Sequence, residues 1–137
     1  MRPLLLDTSA SIWLLENEPL SQAADQALDA AATADLPTYV SAVTAWELGM
    51  LIAKGRIRPR IAPQRWFARL LEFPGVELAA MSPDILIAAS FLPGNPPRDP
   101  ADRILAATAR DLGATLITRD SVLLEYGEQG HMSVLGC

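Results

Sequence analysis

One cysteine, Cys137, and one histidine, His131, are the only thiol and imidazole in the chain. A disulfide within the chain is therefore excluded, as are zinc sites built on several Cys or His ligands. Any Ser–His–Asp relay would have to use the one late imidazole, which is expected on a surface turn in Gly130-His131-Met132. No apolar run approaches the roughly 18 residues that span a bilayer. The opening MRPLLLDTSASIW is too short in apolar residues, and too soon broken by an Asp, to serve as a signal peptide. A cytoplasmic protein with no membrane contact is expected. Lysine is nearly missing too, since Lys54 is the only one among 11 basic residues; arginine suits planar, bidentate pairing with phosphate or carboxylate. Positive charge is in deficit overall, with a net charge of −5 and a pI of about 4.7. That argues against a broad nucleic-acid-binding surface.

The distribution of charge is less uniform than its sum. Lys54, Arg56, Arg58, Arg60, Arg65 and Arg69 cluster in a stretch with no acid between Leu48 and Leu71. Such a run is either a solvated face or a contact for a phosphate backbone. With 137 residues, half of them hydrophobic and a fifth charged, residues 1–137 suffice for a single domain with one core.

Strands are expected at Pro3–Leu6, Thr38–Val40, Val76–Ala79, Thr115–Thr118 and Ser133–Leu135, and helices at Ala10–Leu15, Ser21–Ala32, Ala42–Ala53, Pro63–Glu72, Pro83–Phe91, Pro100–Leu112 and Ser121–Tyr126. Alternating strands and helices imply βαβ units, a parallel sheet and helices on both faces. Gly113 reads as a helix stop. The one irregular stretch is the proline-rich loop from Pro93 to Pro100.

Against this frame four acids stand out: Asp7 and Asp120 directly after strands, Glu47 and Asp102 in the first turns of helices. In an open α/β sheet those positions line one crevice, where ligands bind. Several carboxylates in one crevice repel one another unless a hard divalent cation neutralises them, which points to magnesium or manganese and to phosphate chemistry. Each acid also has a purely structural explanation. Asp7 and Asp120 can cap helices, Thr44 and Glu47 have the spacing of a capping box, and Asp99 can cap a helix whose first residue is Pro100 and third is Asp102. What capping leaves unexplained is why the acids recur beside strands expected at the sheet centre. Thr8, Ser9 and Thr118 would set hydroxyls beside the carboxylates as supporting groups, with Asp99 in a supporting place as well. Arg103 and Arg119, each adjacent to an acid, could balance charge or meet a phosphate. Trp13, Trp46 and Trp66 fall at helical positions suited to packing, although Trp66 beside Arg65 and Arg69 also fits a base-stacking platform.

The segments LLLDTSA, SAVTAWELGMLIAKGRI and DPADRILAATARDLGATLITRD, followed by a short terminal strand, resemble the PIN domain, and more narrowly the VapC-type toxins of toxin–antitoxin pairs, over nearly the whole chain. The resemblance implies a three-layer α/β/α sandwich with a five-stranded parallel sheet. It implies a Mg²⁺- or Mn²⁺-dependent endoribonuclease, usually a homodimer, restrained by a cognate antitoxin. The family's acidic metal-pocket residues correspond to Asp7, Glu47, Asp102 and Asp120. One departure is Pro97, where family members often carry a histidine. On this reading Asp7 and Asp102 are the most direct metal ligands and Glu47 and Asp120 complete the set, while Arg56, Arg58 and Arg103 hold RNA. Three alternatives remain from the residues: an aspartyl-phosphate phosphatase, against which Ser9 replaces the expected second Asp; a non-catalytic PIN-fold module acting through a protein partner; and a PIN nuclease of flap DNA or RNA maturation, which usually needs further domains. An apolar set comprising Trp13, Leu14, Leu15, Trp46, Met50 and Leu51 is a candidate groove for an amphipathic antitoxin segment.

Overall fold

In the computed structural model, which describes residues 1–137, all five expected strands and all seven expected helices form. The elements are β1 (Leu4–Leu6), α1 (Thr8–Leu15), α2 (Gln22–Thr33), β2 (Thr38–Ser41), α3 (Ala42–Ala53), α4 (Pro63–Leu71), β3 (Val76–Ala79), α5 (Pro83–Ser90), α6 (Pro100–Leu112), β4 (Thr115–Thr118), α7 (Ser121–Glu128) and β5 (Ser133–Gly136). Every strand pairing is parallel, and the strand order is β3-β2-β1-β4-β5. The chain builds outward from β1 to β2 and β3, then returns to the other side for β4 and β5. That reversal makes the β1–β4 junction the switch point, where a crevice opens at the carboxyl ends of the strands.

The period-2 alternation of strand side chains sorts the core into two layers. Leu4 and Leu6 of β1, with Val40 and Ile117, face a cluster completed by Ala10, Ala24, Ala31, Leu48, Trp66 and Leu70. Leu5 and Leu116 face the opposite way, toward Val43, Ala101, Leu105, Ala109 and Leu123. Helices α1, α2 and α4 thus cover one face and α6 and α7 the other, giving the expected three-layer sandwich. Helix α3 feeds both layers, through Leu48 and Val43 respectively. A smaller cluster of Ile85, Ala89 and Ala107 fastens α5 to α6. No helix is long and apolar enough to cross a membrane.

The expected punctuation holds in several places. Asp7 caps α1, Asp99 caps α6 ahead of Pro100, and Asp120 caps α7. Gly113 ends α6 in the left-handed region, with φ +61°, where the missing Cβ removes the steric penalty. The capping box at Thr44–Glu47 does not form. Ser41 caps α3 instead, its hydroxyl accepting the Val43 N–H, so Glu47 sits in the second turn and is released from any capping duty.

Candidate metal and phosphate pocket

Register positions the first acid. Leu6 pairs with Ile117, which sets Asp7 alongside Thr118 at the point where both strands end. The Thr118 hydroxyl donates to Asp7 Oδ2 at 2.5 Å and accepts the Asp120 N–H at 3.0 Å. Asp7 Oδ1 accepts the Ala10 N–H at 2.7 Å. One hydroxyl therefore joins the two acid-bearing strand ends.

A second hydroxyl relay fixes Glu47. Thr8 donates to Glu47 Oε1 at 2.5 Å, and its oxygen lies 3.1 Å from that of buried Thr44. A hydroxyl carries one proton; with that of Thr8 committed to Glu47, Thr44 is the donor to Thr8. Thr44, read from sequence as half of a capping box, instead braces Thr8 from beneath. Asp120 Oδ1 accepts the N–H groups of Val122 and Leu123. The Asp102 carboxylate accepts no hydrogen bond from the protein; its backbone N–H is capped by Asp99 at 3.0 Å.

These groups meet in one cavity of about 330 Å³ lined by Asp7, Thr8, Ser9, Glu47, Asp102, Leu105, Arg119 and Asp120. Four structural positions contribute its acids: the β1–α1 junction, α3, α6 and the β4–α7 junction. Thr118 supports the cavity from below and Asp99 from the first turn of α6. Arg119 is the cation of the lining. Its guanidinium also lies 3.9 Å over the Trp13 ring and donates to the Pro19 carbonyl, so it is anchored at the rim rather than free to neutralise all four acids.

The electrostatics register the crowding. Burial pushes the Asp7 carboxyl up, against the pull of the Thr118 and Ala10 hydrogen bonds. Glu47 is raised by burial, with Thr8 opposing and Asp99 and Asp7 adding to the rise. Asp102 is pushed up to about 7, by burial first and then by the negative charges of Asp99, Asp120, Glu47 and Asp7. No cation offsets it.

The donor set is carboxylate and hydroxyl oxygen only, which matches a hard divalent cation and not a thiophilic metal. The acids do not yet enclose an ion: no three of them stand close enough together to form a ready-made metal cage. Closure requires side-chain rotation, for which the unbonded Asp102 carboxylate and the second oxygens of Glu47 and Asp120 are available. With that adjustment the residues fit such an ion.

The arginines expected to hold RNA lie elsewhere. Arg103 is fully engaged inside the protein, donating to the carbonyls of Ala89 at 2.9 Å, Pro97 at 3.1 Å and Ser90 at 3.2 Å. It ties the proline-rich loop to the end of α5 and has no part in the pocket. Arg58 lines a separate cleft of about 360 Å³, with Arg60, Arg69, Glu16 and the apolar Ile12, Leu15, Leu48, Ile57, Ile61 and Trp66. Arg56 is exposed and lines neither cavity. Trp66 is buried and donates its indole N–H to Glu16 at 2.8 Å, so it is core and no base-stacking platform. Trp13, Leu14 and Leu15 also pack on the core, whereas Trp46 and Met50 remain exposed on α3.

A PIN domain family model matches residues 4–129. Ribonuclease VapC22 of Mycobacterium tuberculosis (strain ATCC 25618 / H37Rv) is 35% identical over 127 residues, which span 92% of this chain and 93% of that protein. Among solved structures, VapBC2 from Rickettsia felis bound to a DNA fragment from its promoter superposes with a TM-score of 0.68 at 14% identity, over 97% of each chain. DNA-bound VapBC from Salmonella typhimurium gives 0.64 at 20% identity, over 99% of this chain and 98% of that one. At these identities the structural likeness is one of fold.

The raised Asp102 carboxyl has a consequence for stability. Between the ordinary value of 3.8 and about 7, the folded chain retains a proton that the unfolded chain has released. The folded state is then favoured at the acid end, and stability falls as pH rises through that window. Raised Asp7 and Glu47 act in the same direction. In chelator, the protein should melt at a lower temperature at pH 8 than at pH 5. Asp102→Asn should flatten that slope and raise the melting temperature at pH 8. A pH-independent melting temperature for the parent chain would show that the crowding costs nothing.

Proposed function

The chain belongs to the PIN domain family, and from that membership we propose that it is a divalent-metal-dependent endoribonuclease, the toxin of a VapBC-type toxin–antitoxin pair. The observation that carries the reading is the convergence of Asp7, Glu47, Asp102 and Asp120 on one cavity from four places in the fold. The 35% identical relative being a ribonuclease supports RNA as the substrate. The VapBC assemblies among the fold's likenesses are in keeping with a protein partner. A cytoplasmic setting accords with these roles.

Asp7 and Asp102 would be the principal ligands of Mg²⁺ or Mn²⁺, with Glu47 and Asp120 completing the set. The bound cation would supply Lewis-acid polarisation of a phosphodiester and lower the pKa of a water at neutral pH. The protein's own contribution is positional. Thr118 holds the Asp7 carboxylate toward the cavity while fixing the backbone of Asp120, and Thr8 does the same for Glu47 with Thr44 behind it. Such supporting hydrogen bonds orient ligands and are commonly worth tenfold to a hundredfold in affinity or rate. Arg119, anchored on Trp13, presents positive charge at the rim where an RNA phosphate would enter. With a metal-activated water as nucleophile neither a serine nor a histidine would be needed, and His131 is not among the residues that line this cavity.

Purified, partner-free protein should cleave single-stranded RNA in Mg²⁺ and stop in EDTA. Asp7→Asn and Asp102→Asn should each lower kcat/KM by roughly a thousandfold, the equivalent of several kcal/mol of lost charge stabilisation, and weaken Mg²⁺ binding. Retained cleavage by either variant at saturating Mg²⁺ would remove that residue from the mechanism, and an intact parent that binds its partner yet never cuts RNA would favour the non-catalytic module.

Trp46 and Met50, 56% and 39% exposed and one turn apart on the helix that carries Glu47, are the proposed antitoxin contact. Trp46→Asp should release cleavage from inhibition by the cognate antitoxin while the variant keeps its fold; undiminished inhibition would place the contact elsewhere. A homodimer is proposed through Leu78, Met81, Leu86, Ile87 and Phe91, the large exposed apolar side chains between β3 and the end of α5, since a concentration of exposed apolar residues is what an association surface requires. Phe91, 80% exposed, can be changed to Glu without touching the core. Phe91→Glu should sediment as a monomer, and a parent chain that is itself monomeric at micromolar concentration would end that proposal.

A further inference from the structure

A second cleft, of about 380 Å³, opens off the acidic cavity and shares Asp102 with it. One wall is the proline-rich loop, through Asn95, Pro96, Pro97 and Arg98; the other is α7 and its end, through Val122, Glu125, Tyr126 and Gln129. Positions 122, 125, 126 and 129 are three and four apart, so they form one helical face. The side chains of Asn95, Arg98, Glu125 and Gln129 make no hydrogen bond within the protein, while the groups behind them are all committed.

The loop is held rigidly. Buried Tyr126 donates its hydroxyl to the Pro93 carbonyl at 2.7 Å, Arg103 donates to Pro97, and Asp99 is fixed as the cap of α6. His131 stacks on Tyr126 with ring centroids 4.8 Å apart. It also fills the space over Gly94, where φ is +71° and an added Cβ would lie 2.2 Å from the imidazole Nε2. A loop pinned at four points pays little entropy on binding.

We propose that this cleft is a nucleotide-recognition subsite that reads one unpaired guanine of the RNA beside the scissile phosphate; the proposal rests on the endoribonuclease reading above. Its chemistry is that of a base reader rather than a backbone track. Arg98 is the single cation, against Asp99, Asp102 and Glu125, so phosphate affinity does not explain it. Pro96 and Val122 offer apolar faces to a base plane. Glu125 offers two acceptors side by side, and guanine is the base whose Watson–Crick edge presents two adjacent donors, N1–H and the N2 amino group. Asn95 and Gln129 each bring a donor and an acceptor for the remaining edge atoms.

The test turns on Glu125→Gln, which exchanges an acceptor pair for one acceptor and one donor, the complement of adenine's N6 amino group and N1. A pool of single-stranded RNA of randomised sequence is digested in Mg²⁺ with the parent, Glu125→Gln and Gln129→Ala proteins, and the cut ends are sequenced. The parent should cut with guanine enriched at one fixed position beside the break. Glu125→Gln should shift that enrichment toward adenine, a swing of roughly tenfold or more for one bidentate contact, and Gln129→Ala should blunt the preference. A parent with no base preference there, or a guanine preference unchanged in Glu125→Gln, overturns the subsite while leaving the nuclease intact. A parent that cuts no RNA at all overturns both.

Discussion

Mutual repulsion among carboxylates is the constraint around which this fold is arranged. Asp7, Glu47, Asp102 and Asp120 line one cavity, and the like charges around Asp102 meet no compensating cation. A protein under selection for stability alone would pair such groups or remove them, because burying unpaired charge is costly. Here the fold compensates with hydroxyls and backbone N–H groups. Thr118, Thr8 and the first turns of α1 and α7 satisfy particular oxygens without cancelling charge. The remaining potential is what a divalent cation can exploit. Strain of this kind, retained at one place and offset by ordinary packing elsewhere, is the pattern expected of a functional site.

Topology makes the crowding possible. Central β1, flanked by β2 and β4, is buried on both faces, so its side chains are Leu4, Leu5 and Leu6 with no polar interruption. Polarity returns only where the strand stops, at Asp7, and the same switch occurs in β4 between Ile117 and Thr118. This rule was legible in the chain itself. Apolar runs gave strands, and an acid or hydroxyl at their ends marked both a helix cap and the crevice. The two explanations of Asp7 and Asp120 are compatible, since each side chain caps its helix through Oδ1 and also lines the cavity. The positions of all five strands and seven helices followed from the same alternation.

Side-chain direction was not legible. Arg103 adjoins Asp102 in sequence, yet one step along a helix turns a side chain by about 100°, and the guanidinium goes to the carbonyls of Ala89, Ser90 and Pro97. Arg119 follows Thr118 at a strand end, where the chain turns outward and leaves it on the rim over Trp13. Trp66 sits among arginines in sequence but on the inward face of α4. The spacing of Thr44 and Glu47 mimicked a capping box because a helix also places residues three apart on one face; Ser41 began the helix earlier, leaving both side chains to the site. For Glu47, Trp66 and Arg119 the deciding partners, Thr8, Glu16 and Trp13, lie far away in sequence, which local pattern cannot supply.

The displaced arginine reveals a division of labour. Some of the acids keep freedom: the Asp102 carboxylate is unbonded, and one oxygen each of Glu47 and Asp120 accepts no hydrogen bond from the protein. The adjoining wall keeps none, because Arg103, Tyr126, His131 and Asp99 fix the loop from Pro93 to Asp99. In the proposed nuclease, a rigid wall beside a responsive charge cluster would hold the substrate in register while the carboxylates adjust to a cation. Binding energy gathered on the wall is then available to offset the repulsion released as the acids approach one another. Asp102 lines both cavities, and its carboxyl is pushed up to about 7 by burial and the neighbouring negative charges. On the proposed reading, recognition of a base and assembly of a metal site would be joined through the first turn of α6, whose cap, Asp99, adds to the effect of burial in raising the Asp102 carboxyl while holding its backbone in place.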